Sequence, residues 1–193
     1  MSGARHVYEV YIKAAPEQVW QAITDPDFTR RYFHGTAIES TFETGAPLRY
    51  VLADAATAVV GTVEVFEPPT RLVMTWSFQY RPELAAEPPS RVSWLIALMG
   101  DGLTRLVVEH GDLAKSPITW THVEHGWHWV LDGLKTLLET GASLPAIASE
   151  AAEPPTADPE GEWHRSLRVA AHNATWNGSP SRPPNGRPTT TRS

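Results

Sequence analysis

A chain of 193 residues with a formal net charge of -6 has room for one domain and an extension. Cys 0 excludes disulfides, a thiol nucleophile and cysteine-ligated metal centres, and the acidic balance without a basic block argues against a sequence-independent nucleic-acid surface. The N-terminus lacks the apolar stretch of a signal peptide, and no run approaches the roughly 18 apolar residues of a membrane helix, so the sequence reads as soluble and cytoplasmic, without membrane insertion.

In chain order, His6 to Lys13 alternates around Val7, Tyr8, Val10 and Ile12 and predicts a first strand. Pro16 suits the first position of a helix, Glu17 complements its dipole, and Val19, Ala22 and Ile23 give it a short apolar face. Asp25-Pro26 starts a second short helix, with Phe28 and Tyr32 one turn apart. Gly35, Gly45, Gly61, Pro68-Pro69 and Asp101-Gly102 then punctuate strand-like segments near 36–42, 47–53, 57–67, 71–80, 91–100 and 103–110. Asp-Gly between apolar runs is the strongest hairpin signal among them. Arg81 to Ser90 contains three prolines and predicts a long loop.

The last helix has the clearest period. Val123, Trp127, Val130, Leu131, Leu134, Leu137 and Leu138 recur at helical spacing, with Trp120 on the same side. Such a stripe, on a helix of about 24 residues, should lie across a sheet, and Gly141 should stop it. The domain is therefore expected over 5–142. The remainder, 143–193, reads as a flexible tail: Pro145 to Pro159 is rich in Ala, Glu and Pro, and Asn177 to Ser193 is almost wholly small or polar. Between them Trp163, Leu167, Ala170, Ala171 and Ala174 signal an amphipathic helix within 160–176, a surface that could serve a protein partner.

Several of these segments match one pattern as a set. They are Ala15-Pro16 followed by Val19-Trp20, then Asp25-Pro26, then Pro68-Pro69 with Arg71, Leu72 and Trp76, and finally Gly126-Trp127 with Leu131, Leu134 and Leu137. In this order they resemble the START-like, or SRPBCC, helix-grip superfamily, and within it the branch of activator-of-HSP-ATPase homologues. The resemblance implies an α+β fold: a curved antiparallel sheet wrapped around a long C-terminal helix, two short N-terminal helices, and a pocket between sheet and helix. Relatives include lipid, sterol and polyketide carriers, cyclase domains, stress-response proteins and co-chaperones.

On the strands, Leu72, Met74, Trp76 and Phe78 share one face, as do Val92, Trp94, Ile96 and Leu98, and His110 shares the face of Leu106 and Val108. The expected lining of the pocket is Trp20, Phe28, Tyr32, Met74, Trp76, Phe78, Trp94, Ile96, His110, Trp127 and Leu131. The same residues equally describe a well-packed core. Once buried, the N–H groups of Trp76 and Trp94 need partners, and a ligand carbonyl would serve. His110 reads as a core histidine satisfied by the protein, as a polar anchor for a ligand, or as a general base. Glu64 and Glu109 should point the other way, so no carboxylate pair is visible. His122, His125 and His128 could pinch a metal, but their side of the helix reads as a solvated face.

Phosphate-binding glycine loops, a nucleophile elbow and the HExxH zinc motif are absent. No catalytic residue, metal or cofactor is assigned. The leading expectation is a protein that binds a small hydrophobic or aromatic molecule, entering beside Arg81–Ser90 and the Tyr32-Phe33-His34-Gly35 turn. A cyclase- or hydrolase-type enzyme using His110 is the first alternative. A chaperone or regulator contact through the tail is the second, and a homodimer stays open.

Overall fold

In the first strand, β1 (His6–Lys13), Tyr8 and Ile12 are buried while Val7, Glu9 and Tyr11 face outward, as alternation requires. The computed structural model describes residues 4–145; the tail and its predicted helix within 160–176 lie outside the described residues. α1 (Pro16–Thr24) begins on its proline, and the Ala15 N–H donates to Gln18 Oε1 at 2.9 Å. α2 (Pro26–Tyr32) is capped by Asp25, whose Oδ1 accepts from the Asp27 N–H at 2.8 Å.

Six strands follow: β2 (Ala37–Glu39), β3 (Pro47–Val51), β4 (Thr57–Glu67), β5 (Arg71–Phe78), β6 (Ser90–Gly100) and β7 (Leu103–Gly111). All pairings are antiparallel, in the order β1-β7-β6-β5-β4-β3-β2. The β6–β7 turn is the predicted Asp-Gly hairpin, with both Asp101 and Gly102 at positive φ.

Three expectations need correction. β2 stops at Glu39 rather than near 42, because Ser40 Oγ turns the chain: it donates to Pro47 O and accepts from the Phe42 N–H. The 81–90 loop holds a short helix, α3 (Pro82–Ala85), one turn long and so invisible to periodicity. Leu98 continues the inward alternation of β6 but is 61 % exposed, since the strand there has run past anything that could cover it.

The sheet curls around α4 (Pro117–Thr140). Part of the curl is set where β4 crosses β5. A Cβ at Gly61 would stand 2.0 Å from the Thr75 carbonyl oxygen, a bulge falls between Val63 and Val65, and the Thr62 N–H turns to Thr75 Oγ1. α4 buries Val123, Trp127, Val130, Leu131, Leu134 and Leu137 against the inner face, each such side chain contributing about 1.5–3 kcal/mol. Gly133 lets the helix lie directly on Tyr32, and Gly141, at φ 76, closes the helix by donating to Leu137 O. Near its end α4 also guards the sheet's β1 edge: Lys135 Nζ donates to Tyr11 O, and Glu139 Oε1 accepts from the Lys13 N–H.

The start of α4 is capped from outside. Ser116, in the cap position, sends its hydroxyl to Pro88 O, while both carboxylate oxygens of Glu87 accept from the Ile118 and Thr119 N–H groups at 2.8 Å. Burial alone would raise the Glu87 pKa, but the hydrogen bonds from Thr119 and from both backbone amides outweigh it and hold the carboxyl below its ordinary value. Glu87→Gln is therefore expected to cost about 1 kcal/mol at neutral pH, the usual worth of a helix cap. A carboxyl with a lowered folded-state pKa stabilises above its unfolded pKa and loses that contribution as pH falls through the folded value. The gap between wild type and variant, read by urea denaturation, should thus close in acid; a gap constant with pH would contradict the charged cap.

Candidate functional site

The inward residues of β5, β6 and α4 meet as a chain of rings. Trp94 and Trp127 stand 5.4 Å apart, Trp127 and Trp76 5.7 Å, Trp76 and Phe78 5.7 Å, and Phe78 and His122 5.0 Å. Phe33 touches both Trp76 and Trp127 and stacks on Tyr50 at 4.7 Å. Met74, Ile96 and Leu131 complete the apolar surround, all buried. These rings meet one another between sheet and helix, where the resemblance implies a pocket.

His110 sits at the centre, with no exposed surface, and both its nitrogens are engaged. Trp127 Nε1–H donates to Nδ1 at 3.0 Å, which places the ring proton on Nε2. Nε2 lies 2.7 Å from Ser90 Oγ, and Ser90 Oγ–H donates onward to Trp76 O. The register explains the meeting: Ser90 is opposite Trp76, and Val92, two residues on, is opposite His110. Desolvation, helped by the nearby His6, lowers the His110 pKa to about 3. In this neutral imidazole the Nε2–H is engaged by Ser90 and the Nδ1 lone pair by Trp127, so neither is left open to a substrate. Of the three expectations for His110, the geometry matches the satisfied core histidine.

Two polar atoms remain unpaired. Among the described residues, Trp76 Nε1 and Trp94 Nε1 are the buried side-chain polar atoms without a hydrogen-bond partner.

The other expected lining residues divide. Tyr32 is buried, its hydroxyl donating to Ala22 O, and burial raises its pKa well above the ordinary value. Phe28 is half-buried on α2. Trp20 packs on Phe66, which stacks on Phe42, so its ring partners lie outside the chain that runs from Trp94 to His122. Tyr50 was not foreseen as part of the site, and Phe33 and Ser90 were expected at its entrance rather than in its lining. Alternation with Leu48 marks Tyr50, and Ser90 is two residues before Val92 on the inward register.

Of the three histidines on α4, His125 and His128 are exposed, and His122 is half-buried and shares a hydrogen bond with the Tyr80 hydroxyl. Among the described residues no cluster could hold a metal ion. Glu64 and Glu109 do face outward and pair with Arg91 and Arg5. They border a hollow of about 780 Å³ on the outer face of the sheet, crossed by these ion pairs and remote from the rings. No helix among the described residues is long and apolar enough to cross a membrane.

A curled seven-stranded antiparallel sheet gripping a long C-terminal helix defines the class: this is a helix-grip protein. The family of Activator of Hsp90 ATPase homolog 1-like proteins matches residues 13–139, and the chain belongs to it. No curated protein matches the chain. Among solved structures it is similar to CalU16 from Micromonospora echinospora, with 25% identity and a TM-score of 0.56 over 71% of this chain and 77% of that one. It is similar also to DynU16, described as a putative protein in the dynemicin biosynthetic locus, with 26% identity and a TM-score of 0.60. That match covers 72% of this chain and 48% of DynU16, so the chain spans about half of that relative. The Aha1 dimer from Colwellia psychrerythraea, at 17% identity and a TM-score of 0.57 over 72% of this chain and 98% of that one, shares the fold.

Proposed function

We propose that the protein binds one small planar aromatic molecule carrying a carbonyl-type acceptor, lodged among the rings between α4 and the sheet. The observation that carries this reading is the pair of unpartnered indole N–H groups. A buried donor without a partner costs about 1–3 kcal/mol, and an acceptor on a guest recovers it. The surroundings suit such a guest: aromatic faces, one adaptable methionine and a hydrogen-bond chain at His110 that is already complete. The similarity to DynU16, from a biosynthetic locus, supports a small organic guest.

Because the rings meet one another in the closed form, they must part to admit a guest. Observed affinity is then lowered by the fraction of open protein, and association is slow. The enzyme alternative loses its acid–base group, since His110 is neutral and saturated.

The test is calorimetry with anthraquinone-2-carboxylate. Saturable one-to-one binding is expected, and Trp76→Phe and Trp94→Phe should each weaken it about tenfold, the equivalent of about 1.4 kcal/mol. Absence of saturable binding, or unchanged affinity in the double variant, would overturn the reading.

A further inference from the structure

Resting on that reading, we propose that the guest is a fused aromatic dicarbonyl of the quinone class, with an acceptor oxygen on each of two opposite edges, and that Trp76 and Trp94 each donate to one of them. Three indoles form the inner part of the ring chain, and Trp127 links the other two, 5.7 Å from Trp76 and 5.4 Å from Trp94. Their N–H groups are not equivalent. Trp127 Nε1 is committed to His110 Nδ1 at 3.0 Å, and His110 is held in turn by Ser90, so the linking indole offers a guest only its apolar ring. The outer indoles keep their donors. Trp76 Nε1 and Trp94 Nε1 are buried and unpartnered, on residues 2 % and 0 % exposed. The site therefore presents a donor, an apolar ring and a second donor, and its complement is an acceptor, an aromatic body and a second acceptor.

The strand register separates the two donors. Trp94 lies opposite Leu72 and Trp76 opposite Ser90, so the indoles leave adjacent strands four residues apart, with Met74 and Val92 paired between them. That offset is about 13 Å along the sheet. Among the described residues each outer ring meets Trp127, and no ring contact joins Trp76 to Trp94. A hydrogen bond spans only about 2.9 Å from nitrogen to oxygen, so an oxygen seated on one indole leaves the other unpaired. A guest that relieves both buried donors needs two acceptors. A quinone carries them on opposite edges of one rigid plane, so both bonds form without freezing a torsion of the guest, which keeps the ordering cost low.

The experiment compares three planar tricyclic carboxylates by calorimetry: anthraquinone-2-carboxylate with two ring carbonyls, thioxanthone-2-carboxylate with one, and anthracene-2-carboxylate with none. Affinity should fall about tenfold at each loss of a carbonyl. Each affinity is read relative to anthracene-2-carboxylate in the same variant, which cancels any change in packing. On that scale Trp76→Phe and Trp94→Phe should each bring the anthraquinone down to the level of the thioxanthone. The thioxanthone can turn toward whichever donor remains, so either single variant should cost it only about twofold and the double variant about tenfold. By NMR, the Nε1–H signals of both Trp76 and Trp94 should shift downfield with the anthraquinone bound. Anthraquinone and thioxanthone binding equally well, or a thioxanthone advantage lost entirely in one single variant, overturns the paired acceptors and leaves the ring site standing. Equal binding of all three probes shows that neither indole donates, and overturns both the pairing and the reading it rests on. Failure of all three to bind does the same.

Discussion

Trp127→Ala is expected to lower stability by about 3–5 kcal/mol, the range for removing a buried tryptophan. The ring is 4 % exposed and stands against Trp94, Trp76, Phe33 and Tyr8, so a void there has large neighbours on every side. Trp127→Phe isolates the polar part of the loss. It keeps most of the apolar bulk but strands His110 Nδ1 as a buried acceptor, at about 1–3 kcal/mol. If that chain matters, Trp127→Phe and His110→Leu together should cost less than the sum of the singles, because each strands the other's group. Additive losses in urea denaturation would contradict it. The pH profile gives a second check. A histidine whose folded pKa is depressed binds its proton first in the unfolded state, so stability is intact above the unfolded value near 6.5 and falls toward about 3. The slope is at most about 1.4 kcal/mol per pH unit. His110→Leu should remove that acid limb.

The long helix was legible in the sequence because seven apolar residues hold one period over four turns and a glycine stops it; no other element offered that length of signal. The inward position of His110 and the need of Trp76 and Trp94 for partners also followed from alternation alone. What alternation could not decide was whether the inward aromatics enclose space or fill it, since core and cavity wall demand the same side chains at the same register. That depends on volumes summed over five elements, which bring the rings of Phe33, Tyr50, Trp76, Trp94 and Trp127 into contact with one another. Partnerships between distant residues were equally hidden. Ser90 meets His110 only once β6 and β7 are in register, and Glu87 caps a helix that begins thirty residues later in the chain. His122, taken with its helical neighbours as solvated, is drawn in by Tyr80 and Phe78, residues that no periodicity on α4 could reveal.

The hydrogen-bond chain from Trp127 through His110 and Ser90 to Trp76 O ties the Trp127 ring, one of the five linked rings, to β6 and β7, whereas Phe78 and His122 are only half-buried. Opening should therefore begin at Phe78 and His122, where contacts with water already exist and the loop tied by Glu87 lies alongside α4, and the deep pair Trp94–Trp127 should part last.

Gly61→Ala is expected to destabilise by about 3 kcal/mol or more, at or beyond the upper end of the usual cost of overpacking. The new Cβ would lie 2.0 Å from the Thr75 carbonyl oxygen, a main-chain atom in the neighbouring strand that no rotamer change can move. β4 and β5 would have to separate at their crossing, stretching the Thr62 N–H bond to Thr75 Oγ1 and flattening the bend that the Val63–Val65 bulge begins. Thr75 lies between Met74 and Trp76, so any shift is passed directly to the ring site on the other face, and melting and guest affinity should fall together. Gly126→Ala serves as the contrast. No atom lies within 4 Å of its added methyl, and within α4 alanine is favoured over glycine by about 0.5–1 kcal/mol, so that variant should melt slightly higher. A melting loss of about 10 °C for Gly61→Ala beside a small gain for Gly126→Ala would establish the β4–β5 crossing as the point that holds the curl; equal, minor effects at both positions would show that the sheet bends without it.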